Sequence, residues 1–510
     1  MSPAPTAINT DPPPASWADL LSGRNALRSL TLAGGIGMHA TNVYIVTTIL
    51  PSVVKDIGGL EYYAWATSLF VVASIIAAGL ASRLTEWLGY RAACLLALLV
   101  FSIGSAGCAL APHMVWLLLA RTIQGFGGGV LVALSYAMIR VVFAPPLWSR
   151  AMALMSGMWG ISTLSGPAIG GIFAQAGSWR GAFWSLLPAA VILALLVQFT
   201  LKIPAETRSE DKPGSVPITK ILLLAAAVLS VSAASLFRST ILNIGGIVFG
   251  IALIGLIAWL EQRGGAGKTR LLPSDAFSLR SRIGALYATM ILMILGLTTE
   301  IYVPYFLQVI QGHSPLLAGY LTGIMSCGWT LAALLFSSYG GARAQFVMKA
   351  GPLVVIAALL ALSFMLPSTA ALDSYGLLPL CIALILVGFG IGMGMPHLMA
   401  SILSSARPDE GSLAAYSLTT VQLFATAIGA ALAGMATSLA GLADPGGLPG
   451  AANAAQWLFI CFAAAPLLAF FTVRQALRLK APATAAPGAI HDDQPGQHNQ
   501  HDRPLQEPLP

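Results

Sequence analysis

Apolar runs of about twenty residues recur along most of the chain, each closed by a short polar, glycine- or proline-bearing turn. A helix of about 20 apolar residues crosses the ~30 Å hydrocarbon core, and a spanning segment must satisfy its backbone within itself. The pattern predicts spans near 29–50, 62–82, 92–111, 114–138, 151–176, 182–203, 218–236, 240–260, 283–310, 316–338, 350–367, 374–397, 412–436 and 455–476. The pair 218–236 and 240–260 is parted only by a short hinge at Arg238. Polar loops at 204–217 and 261–282 set that pair apart from six spans on either side. The expected architecture is an all-α polytopic membrane protein with 14 transmembrane helices. Residues 1–25 form a disordered cytoplasmic tail, 26–203 a six-helix bundle, and 204–282 linker loops with two extra helices. A second six-helix bundle fills 283–480, and 481–510, rich in Pro, Gln, His and Asp, is a disordered tail.

Charge adds an orientation. Charged residues make up 9% of the chain and hydrophobic ones 57%, against about 25% charged in a soluble domain. A cytoplasmic N-terminus places Arg24, Arg28, Arg83, Arg91, Arg140, Arg150 and the basic residues of the central and C-terminal loops inside. Lys55, Arg180 and Arg238 then lie outside, and Arg121 lies within a span. This is the asymmetry that the positive-inside rule describes. Reading 218–260 as one span would turn the later basic loops outward, so the count is even, and both termini are expected in the cytoplasm of a cell (inner or plasma) membrane protein. The net charge of +7 is accounted for by loops facing anionic lipid and requires no nucleic-acid partner. Cys94, Cys108, Cys327, Cys381 and Cys461 all fall in apolar segments without paired spacing, so neither disulfides nor a metal site is expected.

Three segments carry chemistry. The fourth span opens with Arg121-Thr-Ile-Gln124-Gly125-Phe-Gly127-Gly128-Gly129. A guanidinium inside a span costs at least ~2.5 kcal/mol, so it calls for a purpose and a partner. Glycines around it let helices approach closely. The fifth span holds Gly160-Ile-Ser-Thr-Leu-Ser-Gly166-Pro167-Ala-Ile-Gly170-Gly171, in which a mid-helix proline frees a carbonyl and bends the rod. Between spans two and three lies Ser82-Arg83-Leu-Thr-Glu86-Trp87-Leu-Gly89-Tyr-Arg91.

These segments resemble the R-x-x-Q-G-x-G motif, the G-x(5)-G-P-x-x-G-G antiporter motif and a worn G-x-L-x-D-R-x-G-x-R gating loop of the major facilitator superfamily, specifically its fourteen-helix drug:proton antiporter branch. Lys55-Asp56-Ile-Gly58-Gly59, Tyr63-Ala-Trp65, Trp179-Arg180 and the stretch from Tyr305 to Pro315 fit the same branch. The resemblance covers roughly 28–475 and implies the major facilitator fold, two six-helix bundles rocking about a midplane site. It departs from the family at helix one, where Asn42 stands in place of the usual aspartate, and in the gating loop, where Glu86 replaces Asp and Trp87 replaces Arg. The latch of Glu86, Gly89 and Arg91 is expected to persist in weakened form.

Nineteen Asp and Glu residues are present, and Glu300 alone falls near the middle of a span. Leaving water favours the neutral form of a carboxyl, which suits a group that loads and releases protons; a structural glutamate bridging helices is the competing reading. Glu300, Arg121, His39 and His397 are the candidates for proton coupling. Asn42, Gln124, Tyr302, Gln308 and Gln422 are candidates for the substrate pathway, the amides serving equally well as bridges between helices. Gly388-Phe-Gly390-Ile-Gly392-Met-Gly394 has spacing like a nucleotide loop but lies in a span, where close helix packing is the better reading.

The expected function is proton-coupled export of small hydrophobic or amphipathic compounds such as drugs, antibiotics or secondary metabolites. The proton gradient drives it, and no cofactor is expected. An uptake symporter for a nutrient is the alternative within transport, and a polytopic membrane enzyme the alternative outside it. The enzyme reading lacks a cluster of His, Asp or Ser at one depth, so no catalytic residue is assigned. The partners are substrate, protons and the lipid bilayer, around a monomer.

Overall fold

The computed structural model describes residues 16–201, 217–237, 239–263, 270–368, 374–407 and 410–479, and every regular element among them is helical. Residues 1–15 of the first expected tail, the whole of the second, most of the loop 204–217 and the hinge residue Arg238 lie outside the described residues, whereas residues 16–25, expected in the first tail, are described and largely helical. A short α1 (Trp17–Leu20) is closed by a reciprocal Ser16–Asp19 capping box. Then come α2 (Gly23–Ile57), α3 (Trp65–Ala109), α4 (Met114–Val142), α5 (Trp148–Gln175), α6 (Trp179–Trp184) and α7 (Leu186–Thr200). The central pair is α8 (Ile218–Ala234) and α9 (Thr240–Gln262). The second half holds α10 (Arg282–Leu297), α11 (Val303–Val309), α12 (Pro315–Phe336), α13 (Gly341–Met365), α14 (Ser374–Ser405), α15 (Gly411–Leu439) and α16 (Gly447–Arg478).

Helix α3 is two spans in one. Gly89 takes φ 77° and ψ 162° within it. Packing shows that the chain reverses there. Glycines 125 and 129 of α4 lie against Phe70 and Ser74, so the first arm runs parallel to α4. Gly127 lies against Phe101 and Ala97, and Gln124 against Gly104, so the second arm runs antiparallel. A Cβ at Gly127 would fall 2.4 Å from the Phe101 nitrogen. The glycine run after Arg121 therefore brings three rods into backbone contact.

The ninth expected span, 283–310, is found as one apolar stretch, Arg282–Val309, but it is not a single rod. A 3₁₀ turn, Thr298–Ile301, parts α10 from α11. The cause is Pro304, which has no N–H to give the carbonyl of residue 300 and whose ring crowds that carbonyl. Glu300 therefore sits in a joint between two half-helices.

Ten helical stretches among the described residues are long and apolar enough to cross a membrane, so the protein is a multi-pass membrane protein. One of the ten is Leu60–Ala109, which carries two expected spans. Helices α2, α5 and the 17-residue α8 stand outside the ten; α2 carries Arg24, Arg28, Lys55 and Asp56 along with a histidine and two asparagines.

The halves α2–α7 and α10–α16 meet at one end, where the turns after α2, α5 and α11 gather. Gly171 of α5 lies on Leu316 of α12, and Gly434 of α15 on Ala64. The Gln308 amide of α11 donates to the Thr48 carbonyl of α2 at 3.3 Å. Helix α8 fills the flank between α3 and α15: Ile221 packs on Gly79, and Ser438 donates to the Ser235 carbonyl at 3.1 Å. Helix α9 packs on α8 through Gly246 and Gly250 and turns its other face outward, with Ile241 81% exposed.

Candidate functional site

Two clusters of polar groups lie inside the membrane-spanning part, one in each half, and most of the sequence candidates fall in one or the other.

In the first half Arg121 is 1% exposed. Its Nε donates to the Ala66 carbonyl at 3.1 Å and its Nη1 to the Gln124 side-chain oxygen at 2.6 Å. The guanidinium carbon stands 4.0 Å from the centre of the Phe70 ring. Gln124 passes the chain on, donating to the Ser105 hydroxyl at 2.8 Å, so its amide bridges α4 to the second arm of α3. His39 packs on the far side, 5.1 Å from Phe70 and 6.1 Å from Trp159 between ring centroids. Asn42, one turn further along α2, is fully buried, and neither its amide nitrogen nor its oxygen has a partner.

In the second half the Glu300 joint packs against α15 and α10. Tyr44 of α2 lies within electrostatic reach of its carboxyl and meets the Ser326 hydroxyl of α12 at 3.3 Å. Tyr302 is 2% exposed and stacks on Tyr63 of the opposite half at 4.8 Å and on Phe306 at 5.9 Å. A column of aromatic rings thus joins the halves beside the acid. Arg121 does not reach Glu300: its polar contacts all lie within its own half. His397 is held apart from both clusters, its Nε2 2.9 Å from the Phe336 carbonyl oxygen. Gln422 is half-buried on α15.

The glycine-proline segment of α5 lies on the seam between halves. A Cβ at Gly166 would fall 2.4 Å from that of Tyr44, and one at Gly170 2.9 Å from the Ile45 carbonyl oxygen, both on α2. One at Gly171 would meet Leu316 Cα of α12 at 2.5 Å. Pro167 cannot donate to the Thr163 carbonyl, and that carbonyl faces Gly323 of α12. Gly160 has open space around it. In the gating segment Glu86 is exposed, Gly89 makes the turn, and Arg91 donates from Nε to Gln198 at 3.0 Å.

The structure also joins two segments that the sequence left apart. Asp56, at the end of α2, accepts from Trp179 Nε1 at 3.1 Å and Arg180 Nη1 at 2.6 Å. Tyr44 and Ser326 escaped sequence reading altogether, because a lone hydroxyl in an apolar span carries no local signal.

Among known proteins, the Major Facilitator Superfamily model matches residues 32–430. A probable multidrug-efflux transporter of Mycobacterium tuberculosis is 36% identical over 463 residues, covering 89% of this chain and 96% of the relative. The multidrug efflux pump SdrM of Staphylococcus aureus is 27% identical over 367 residues, covering 72% of this chain and 79% of the pump. Of solved structures, a POT family transporter in complex with a thioalcohol-conjugated peptide superposes with a TM-score of 0.63 at 14% identity, covering 88% of this chain and 96% of that one. The nucleoside transporter NupG gives 0.62 at 12% identity, over 88% and 99% of the two chains. At such identities the structures speak for the fold alone.

Proposed function

Because this chain belongs to the major facilitator superfamily, a family of membrane transporters and not of enzymes, we propose that it is a proton-coupled exporter of small hydrophobic or amphipathic compounds. The observation that carries the reading is the seat of Gly166, Pro167, Gly170 and Gly171. They line the seam where α5 meets α2 within one half and α12 of the other. A segment built for backbone contact across both seams can hold one mouth shut while the opposite end opens. The likeness to multidrug-efflux transporters over 89% of the chain supports export over uptake.

With fourteen spans and both termini cytoplasmic, the end at which the halves meet is the outer one. Substrate then enters between the halves from inside. Rocking breaks the Gln308–Thr48 and Tyr44–Ser326 bonds and opens the outer mouth. Glu300, at the joint of α10 and α11 beside Tyr44, carries the proton inward. One charge moving through about 150 mV releases about 3.4 kcal/mol, enough for a gradient of a few hundred-fold. Coupling requires only that substrate and proton favour different states of the carrier.

Everted vesicles preloaded with a pH gradient test this directly. Wild-type protein accumulates a fluorescent amphipathic dye against its gradient and releases it when an uncoupler is added. Glu300→Gln abolishes accumulation while preserving dye binding and downhill exchange. Full uphill transport by that variant, with unchanged pH dependence, removes Glu300 from the mechanism.

A further inference from the structure

We infer that the amino-terminal half contains a buried binding site for a compact monovalent anion, of the size and charge of chloride, between Arg121 of α4 and Asn42 of α2. The need for an anion comes from Arg121. It is 1% exposed, its face is covered by Phe70, and among the described residues no carboxylate pairs with it. Neutral acceptors, the Ala66 carbonyl and the Gln124 oxygen, take two of its N–H groups but leave its charge uncompensated. A lone buried cation is strongly disfavoured unless a counter-charge joins it.

The receiving group lies on the facing helix. Helices α2 and α4 run antiparallel, with Gly35 against Leu131 and His39 against Gly128. That register sets Asn42 opposite Gln124 and Gly125, one turn from Arg121. Asn42 is 0% exposed and both of its amide atoms lack partners. Buried polar groups are nearly always satisfied, so an unpartnered buried amide one turn from an unpaired cation marks a missing guest. Water would satisfy the hydrogen bonds but not the charge. A halide accepts from the Asn42 amide while neutralising the guanidinium. The enclosed setting favours a small, weakly hydrated ion over a bulky or divalent one.

The proposal stands apart from the export reading, because binding can be measured without substrate or proton gradient. Purified full-length protein in lipid nanodiscs is heated in sodium chloride and in sodium gluconate at equal ionic strength. Chloride is expected to raise the unfolding midpoint by a few degrees in a saturable manner, since a ligand bound only to the folded state stabilises it. Bromide acts as chloride does, and sulfate does not. Asn42→Asp places a carboxylate where the anion would sit, so this variant should hold its midpoint in gluconate and lose the halide response. Equal wild-type midpoints in chloride and gluconate would overturn the site. So would a halide response in Asn42→Asp as large as that of the wild type.

Discussion

Glu410 precedes α15 and ties that helix to the segment that leads into α10. Its carboxylate accepts from Arg270 at 2.8 Å and from the Ser274 backbone N–H at 2.9 Å, with the Ser274 hydroxyl also in contact. Burial pushes its pKa up, but the Ser274 bonds and the charges of Arg270 and Arg407 outweigh burial and hold it below the usual 4.5. A carboxyl depressed in the folded state contributes stability above its unfolded value, and that contribution is lost as pH falls through the folded value. The unfolding midpoint of the wild type should therefore fall as pH drops below about 4.5, and Glu410→Gln should remove that part of the decline. A variant whose midpoint tracks the wild type from pH 7 to pH 3 would show that the contact contributes nothing. Single residues of this kind were poorly legible in the sequence. The scarcity of acids in spans singled out Glu300, and the cost of a membrane guanidinium singled out Arg121. Their partners could not be read, because Phe70, Tyr44 and Ser326 join them only through the packing of distant helices.

Three glycines separate two reasons for a glycine within a helical element from the absence of either. At Gly89 a Cβ would meet nothing within 4 Å, but φ is +77° with ψ 162°. That conformation is nearly closed to other residues and costs them about 1–3 kcal/mol. Gly89→Ala should lower the unfolding midpoint in detergent by several degrees through backbone strain alone. Gly170 is an ordinary helical residue, but its place is taken by the Ile45 carbonyl. Gly170→Leu should wedge α5 from α2 and cut dye efflux at least tenfold at normal membrane expression. Gly160 has neither constraint, so Gly160→Ala should transport within about twofold of wild type, helix propensity favouring alanine by only ~1 kcal/mol. Loss of efflux in Gly160→Ala equal to that in Gly170→Leu would refute the packing account. The fifth-span motif was visible in sequence as a pattern, but only the structure divides its glycines into those that touch a neighbour and one that does not. The joint within the ninth span was illegible for a different reason. Hydropathy stays high over the span as a whole despite Thr298, Thr299 and Glu300, and it is blind to the N–H that Pro304 lacks.

At the scale of the whole molecule, alternation of basic loops gave the reading of orientation, and it can be tested by access. In a cysteine-free background, a cysteine at Ser178 should react with an impermeant maleimide on intact cells. One at Arg280 should react only in everted vesicles. Labelling of both from the same side would break the proposed parity. The placement of α8 and α9 was not legible at all, since helix counting says that a pair is inserted but not which flank it joins. That flank matters to the surrounding lipid. Helices α8 and α9 thicken one side of the protein beside α3 and α15, while the α5–α12 side carries no such layer. The outline in the membrane plane is therefore lopsided, and a rocking motion displaces different amounts of lipid on its two sides. Lipid on one side thus meets the inserted α9, whose outer face is apolar, and on the other side meets α5 and α12 themselves, so the two flanks of the carrier touch the bilayer through different helices.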